Sequence, residues 1–301
     1  MLGFDPIDWM AVPGSLANDL QRRLRGVVVS PRRLSLLTPG VNATIPMLRG
    51  VWGCALHDRD RETYATVFEG LGPDGDPSDR RPLYVLRPAP ADPRDAPALE
   101  WISLGGALAH DSVLLDAWMD AADRGLGPRR HPFGFRAMRH LRADGSCGGV
   151  APAALPLAPL PWPLAGPPAD TPCRLTFHVP LRLMRKGRLI LCPTLGDIVA
   201  VGLRRLADLA GSAAEGEALR ALQPALLETA HAVAVRPWQG ESAILQRYSA
   251  NQGEIEMNGV RGTLAFPFGP GALWPLLVAL SWVHLGKGTV FGLGQPILED
   301  L

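Results

Sequence analysis

Lysine is almost missing from this chain: of its 30 basic residues only Lys186 and Lys287 are lysines. The arginine bias goes with abundant alanine, glycine and proline, as GC-rich coding produces, so the two surviving lysines stand out only mildly. A surplus of charge is missing too. Against 29 acidic residues the formal net charge is +1, which excludes a protein coated in basic surface and confines any nucleic-acid site to a local patch. Cysteine is scarce, and Cys54, Cys147, Cys173 and Cys192 form neither a CxxC pair nor a Cys/His metal spacing. No metal centre and no cofactor is expected, and the thiols are expected to be reduced. The apolar stretch Leu273 to Leu285 falls short of the ~20 residues that span a bilayer. No basic segment leads into a long apolar one near Met1, so no secretory signal is expected. These absences point to a soluble, cytoplasmic protein. With 47% hydrophobic residues over 301 positions, it can bury one large core or two modest ones.

Residues 1–25 read as an N-terminal helical extension, with Leu16, Leu20 and Leu24 on one face. Residues 26–150 read as a first β-α-β-β-α-β unit. Its elements are a strand over 26–37, a helix from Thr44 (cap) and Pro46 to Leu56, strands at 84–86 and 100–104, a helix over 112–124 and a strand over 135–142. Prolines then recur from Pro152 to Pro172, too densely for a helix or a central strand, so 151–172 is an extended linker. Residues 173–301 repeat the order. Strands are predicted at 174–183, 188–191, 232–236, 245–266 (with a hairpin turn near Asn258-Gly259) and 291–298, and helices at 195–209, 215–231 and 272–283. The fold class is therefore α+β, as tandem ferredoxin-like (RRM-like) domains.

Directly after the last predicted helix, Gly286, Gly288, Gly292 and Gly294 surround Lys287. Two readings fit. A glycine cluster ends a helix through positive φ, and it also bares backbone N–H groups that, with a lysine, suit a phosphate. It is not a P-loop, because the GxxxxGK[ST] spacing is absent and the segment follows a helix instead of opening one.

Several segments, in order, carry a resemblance. Thr176 to Leu183 through Lys186-Gly187-Arg188-Leu189 resembles a "TPLRL…GRL" strand and turn. Arg247-Tyr248-Ser249 with Asn251-Gln252 is similar to "RYSxRQ", Asn251 standing where arginine is common. Gly259-Val260-Arg261-Gly262 is similar to "GLxG", and His284 to Gly294 to "HxGKxTxFGxG". In the first half, Leu48-Arg49-Gly50 to His57 resembles "RGxxGxxL". These are segments of the CRISPR-associated endoribonucleases that process precursor CRISPR RNA, in the RAMP superfamily. The resemblance implies two ferredoxin-like domains facing a central cleft. It also implies metal-independent cleavage, in which the RNA's own 2′-OH attacks the adjacent phosphorus and leaves a 2′,3′-cyclic phosphate. Precursor and product guide RNA are the implied partners, with other Cas effector subunits besides, and no membrane.

Such chemistry needs an acid, a base and positive charge, and histidine titrates in the useful range. Of seven histidines, His57 ends the glycine-spaced first helix, where many relatives carry a catalytic histidine. The structural alternative is a helix C-terminal histidine favoured by the dipole. His178, alternating with Phe177 and Val179, faces either a cleft or solvent. His284 reads more readily as a structural cap. Tyr64 is a candidate donor for catalysis, and core packing is its alternative. For RNA binding the candidates are Arg49, the basic turn Arg182, Arg185, Lys186 and Arg188, the pair Arg247 and Tyr248, and the loop residues Gly286, Lys287, Gly288, Gly292 and Gly294. A non-catalytic RAMP subunit that only holds guide RNA is the nearest rival. An enzyme binding a small phosphorylated ligand at the Lys287 loop is the rival from another class.

Overall fold

The computed structural model describes residues 15–38, 42–71, 80–90, 97–127, 129–149, 154–158, 169–249 and 253–301. Helix α1 (Leu16–Leu24) starts where the Ser15 side chain accepts from the Asn18 N–H. Strand β1 (Val28–Leu37) follows, then α2 (Ile45–Arg59), capped by Thr44 with Pro46 in its first turn. This helix runs about a turn farther than its apolar pattern predicts, so His57 lies inside its last turn. Asp60 breaks it with an extended backbone and caps α3 (Arg61–Thr63), which runs into a π-helical turn at Tyr64–Glu69. Strands β2 (Tyr84–Pro88) and β3 (Ala98–Leu104), helix α4 (Asp111–Arg124) and strand β4 (Gly134–His140) complete the unit. Its strands are antiparallel in the order β2-β3-β1-β4, the ferredoxin-like arrangement.

The second half repeats it. Strand β5 (Leu155–Pro156) belongs to the proline-rich stretch yet pairs with Val28 and Val29 at the end of β1, which two residues at a sheet edge allow. Then come β6 (Cys173–Leu181), a small hairpin of β7 (Met184–Arg185) and β8 (Arg188–Leu189), and helices α5 (Leu195–Asp208), α6 (Ala213–Arg220) and α7 (Gln223–Ala232). The long strands β9 (Gln239–Ser249) and β10 (Gly253–Phe266), helix α8 (Trp274–Val283) and β11 (Ile297–Asp300) follow. The antiparallel order is β11-β6-β10-β9, the same arrangement again.

Three local expectations are corrected. No strand forms at 232–236; the backbone there is irregular, though the Arg236 N–H still reaches the Ala265 carbonyl. Asn258-Gly259 is not a turn but the middle of β10, opposite Ile244 and Ala243. A Cβ at Gly259 would stand 2.9 Å from the Leu181 carbonyl, so glycine is there for the close approach of β6. The closing strand begins at Ile297, not at Phe291, because left-handed Gly288 and Gly292 bracket a single 3-10 turn at Thr289–Phe291.

Alternation along the first sheet decides where the cores lie. Leu34, Leu36, Tyr84, Leu86, Leu99 and Trp101 point to α2 and α4 and pack with Trp52 and Trp118, whose rings stack at 5.0 Å. Val29, Val85, Ile102 and Leu104 point the other way, into a core shared with α1, α5, α8 and β6. Both faces of this sheet are therefore covered. Toward the rim of the second face a cleft of about 710 Å³ remains, with Arg33, Arg87 and Glu100 on one wall and Leu277, Ser281 and Trp282 on the other. Among the described residues no helix is long and apolar enough to cross a membrane.

Trp52 is fully buried, and its indole N–H donates to the Leu114 carbonyl at 3.2 Å. Trp52→Ala should lower unfolding free energy by about 3–5 kcal/mol, measured by urea denaturation.

Candidate functional site

Helix α2 and the π-helical turn after it lie face to face because one position between them is empty. A Cβ on Gly53 would overlap the Phe68 ring, so glycine lets Phe68 sit directly on the helix. Around that contact the side chains form a continuous ladder. The Arg49 guanidinium lies 4.2 Å from the Phe68 centroid and 5.0 Å from that of Phe291, and its Nε donates to Tyr84 Oη at 2.7 Å. Phe68 stacks on Tyr64 at 5.0 Å, and Tyr64 meets the His57 imidazole edge-on at 5.0 Å. Thus three of the residues singled out from sequence, Arg49, His57 and Tyr64, are brought together. Phe291, on the glycine-rich loop, joins that loop to them.

At the open end of the ladder His57 is about half exposed. Its Nδ1 is 3.2 Å from Asp58 Oδ1, and since a carboxylate only accepts, Nδ1 carries the proton and Nε2 is left without a partner among the described residues. Asp58 is itself held by Arg124 at 2.8 Å, and the hydrogen bonds from Arg124 and then His57 keep its carboxyl below the usual range. Burial, followed by the hydrogen bond to Glu69 at 2.9 Å, pushes the Tyr64 phenol up to about 12. Tyr64 is therefore a donor, not a base, at neutral pH. Glu69 in turn pairs with Arg80.

The glycine-rich loop owes its shape to two arginines from outside it. Arg87 on β2 bonds Glu100 at 2.7 Å and the Ser281 carbonyl at 2.7 Å, and its Nη1 lies 3.4 Å from His284 Nε2. Arg205 on α5 donates to the Val283 carbonyl at 2.7 Å. His284 is wholly buried, with φ 58°, and donates from Nδ1 to the Leu293 carbonyl at 3.1 Å. Burial and the neighbouring Arg87 hold its imidazole well below the ordinary value, so it is a neutral structural residue. The four glycines all take positive φ, and they are not equally open. Gly292 and Gly294 are buried, whereas Gly286 and Gly288 are half-buried and Lys287 is exposed.

The basic turn lies beside that lysine. Arg182 bridges Gly286, and its carbonyl accepts the Lys287 N–H at 3.0 Å. Lys186 and Arg188 are exposed on the β7–β8 hairpin, while Arg185 is tied to Asp197. Arg182 Nε is bound to the Asn258 carbonyl at 2.7 Å. Arg247 and Tyr248 belong to the backbone of β9; their side chains, like Asn251 and Gln252 altogether, lie outside the described residues.

His178 is engaged elsewhere. On β6 it shares Glu299 of β11 with Thr176 and Arg174, at 2.7, 2.8 and 3.1 Å, beside a groove of about 470 Å³ that also touches Glu241 and Arg261. Nothing bonds it to His57 or Tyr64. Sequence reasoning missed Asp58, Glu69, Phe291, Arg87 and Arg205. Only the four-residue steps 49-53-57 and 64-68, read as two facing stripes, carried a signal for this grouping. Among the described residues no cluster of three metal-donor side chains occurs.

Two ferredoxin-like sheets in one chain, with a glycine-rich loop after the last helix, define the class: a tandem ferredoxin-like protein. Residues 175–296 match the family model described as CRISPR-associated endoribonuclease Cas6. The resemblance drawn from the motifs of the second half agrees with this match. No curated protein matches the chain. Among solved structures, one Cas6 product complex superposes with a TM-score of 0.57 at 16% identity, covering 90% of this chain and 99% of that one. A second Cas6 product complex gives 0.56 at 20% identity, covering 91% and 100%. The second protein in a substrate-mimic complex gives 0.51 at 22%, covering 90% and 99%. At these identities the likeness establishes the fold alone, over about 90% of the chain.

A Cβ at Gly292 would stand 2.9 Å from the Leu86 carbonyl, at φ 78°. This glycine thus fits the loop onto β2 before it does anything else. Gly292→Val should lower the melting temperature by several degrees, on the scale of a 1–3 kcal/mol strain penalty, read by circular dichroism.

Proposed function

We propose that this chain cleaves CRISPR repeat RNA in precursor transcripts by attack of the RNA's own 2′-OH, with His57 moving the proton. The observation that carries the reading is the ladder from His57 through Tyr64, Phe68 and Arg49 to Phe291, which holds a half-exposed imidazole in fixed relation to the glycine-rich loop. The family match in the second half and the product complexes of its structural neighbours support it. In this reading RNA lies along Lys287, Arg182, Lys186 and Arg188, exposed or half-exposed positive charge that suits a phosphate backbone.

At the scissile phosphate the 2′-oxygen attacks phosphorus in line, and its proton passes to a base. The P–O5′ bond breaks, the departing O5′ takes a proton from an acid, and a 2′,3′-cyclic phosphate and a 5′-OH remain. His57 Nε2, with Asp58 on its other nitrogen, is placed to serve as one of these two groups. Tyr64 seats the imidazole and, kept protonated, adds a donor beside it. His178, bound to Glu299 on another element, has no part in this step.

His57→Ala should slow single-turnover cleavage of repeat RNA about 100-fold or more, the scale of a lost acid–base group, with little change in RNA affinity. A binding protein without activity would instead show no cleavage in the parent chain.

The sequence contains no metal-ligand spacing, so the reading assigns no metal-activated water. Cleavage is expected to persist in excess EDTA, and one 2′-deoxy nucleotide just upstream of the cut is expected to abolish it while binding remains. Cutting of the deoxy RNA would mean that water is the nucleophile and that this mechanism is wrong.

A further inference from the structure

We propose that Arg61 is the cation that faces the scissile phosphate beside His57. The inference rests on the role given to His57 above. In-line attack builds negative charge on the phosphoryl oxygens, and a single imidazole handling a proton does not neutralise it. A fixed or readily placed positive charge beside His57 is therefore required, and the arginines around it can be sorted by what already holds them.

Arg49 lies between Phe68 and Phe291 with its Nε on Tyr84. Arg59 spans to α4, bound to Asp120 at 2.7 and 2.9 Å and to Asp116 at 3.2 Å. Arg124 is bound to Asp58 at 2.8 Å. Moving any of these toward a phosphate would break a contact that keeps α2, α4 and the π-helical turn together. Arg61 is exposed and has no hydrogen bond or ion pair among the described residues.

Its place in the fold is as telling as its freedom. The α2 side of the ladder is spaced in fours, Arg49, Gly53 and His57, and the returning side is Tyr64 and Phe68. The two sides meet at the bend made by Asp60, and Arg61 is the first residue beyond it. Three positions separate Arg61 from Tyr64, which sets both side chains on the same side of the returning helix. Tyr64 leans toward the N-terminal turn, where its ring touches His57. Helix spacing therefore puts the Arg61 stem on the Tyr64 side of the returning helix, one turn nearer the bend and away from the Arg49 end. The adjacent Asp60 carboxylate is turned to the helix cap, accepting the Thr63 N–H at 3.0 Å. A guanidinium here can offer two parallel N–H donors to one phosphate and stays charged throughout the reaction.

The test uses the full chain and a labelled RNA carrying a CRISPR repeat of the host's own arrays, with single-turnover rate and dissociation constant measured separately. Arg61→Ala and Arg61→Gln should cut the rate about 10- to 100-fold, with the dissociation constant within about threefold of the parent. Arg61→Lys should recover at least a third of that loss on a logarithmic scale, because charge returns without the bidentate fork. His57→Ala is measured alongside. If His57→Ala is impaired and Arg61→Ala cleaves like the parent, the inference is wrong and the His57 site stands. A rate loss matched by an equal loss of affinity, or Arg61→Lys no better than Arg61→Ala, also overturns it. If His57→Ala cleaves normally, the site itself has been misplaced and the assignment of Arg61 fails with it.

Discussion

Arg87 is the residue on which the arrangement of the two halves depends. It stands on a strand of the first sheet, yet its guanidinium ends on the Ser281 carbonyl of the last helix and beside His284 at the start of the glycine-rich loop. Glu100 holds it in place, and Arg33 holds Glu100 from the neighbouring strand at 2.8 Å. Burying so many charges is costly unless each finds its partners. Here the carboxylate is shared between two arginines, and a carbonyl takes up a further donor. Such a network is tolerant of few geometries, so it specifies where α8 and the loop sit against the first sheet.

From that fixed point the loop reaches the other end of the first domain. Four residues in left-handed conformations have no preferred shape of their own, since glycine surrenders much chain freedom on ordering. The loop is held because its carbonyls and amides are claimed by Pro180, Arg182 and Leu285, and its one aromatic side chain lies on Arg49. The consequence for chemistry is distance control. If RNA lies along Lys287 and the β7–β8 hairpin as proposed, it is presented at a set separation from His57, because the links between them are packed rings and bonded backbone groups.

Much of this was legible beforehand. Alternation placed β1 and β6, the Thr44-x-Pro46 start placed α2, and the repeat of element order gave the tandem ferredoxin-like fold. The glycine motif marked the loop whose entry Arg87 and Arg205 hold. What failed to show was any feature decided by distant partners. Asn258-Gly259 has turn chemistry in isolation, but a fourteen-residue strand passes straight through it because β6 needs the space of a missing side chain. His178 and His57 look alike in the sequence, each a histidine near apolar residues. One faces Glu299 across a strand pair and the other faces Tyr64 across a helix bend. The ion network of Arg33, Glu100 and Arg87 joins three strands and a helix, and no local pattern announces such a partnership.

The packing of α1 bears on how the molecule comes into being. Leu20 and Leu24 are buried in the core that contains α8, about 250 residues farther along the chain, so α1 leaves the ribosome long before the helix it packs against. Until α8 emerges, the apolar stripe of α1 has only transient cover, and the second core lacks one wall. Assembly of that half is then a closing step that needs α1 and α8 together. A nascent chain stalled short of Trp274 would expose the leucines of α1 as a ready point of attachment for chaperones.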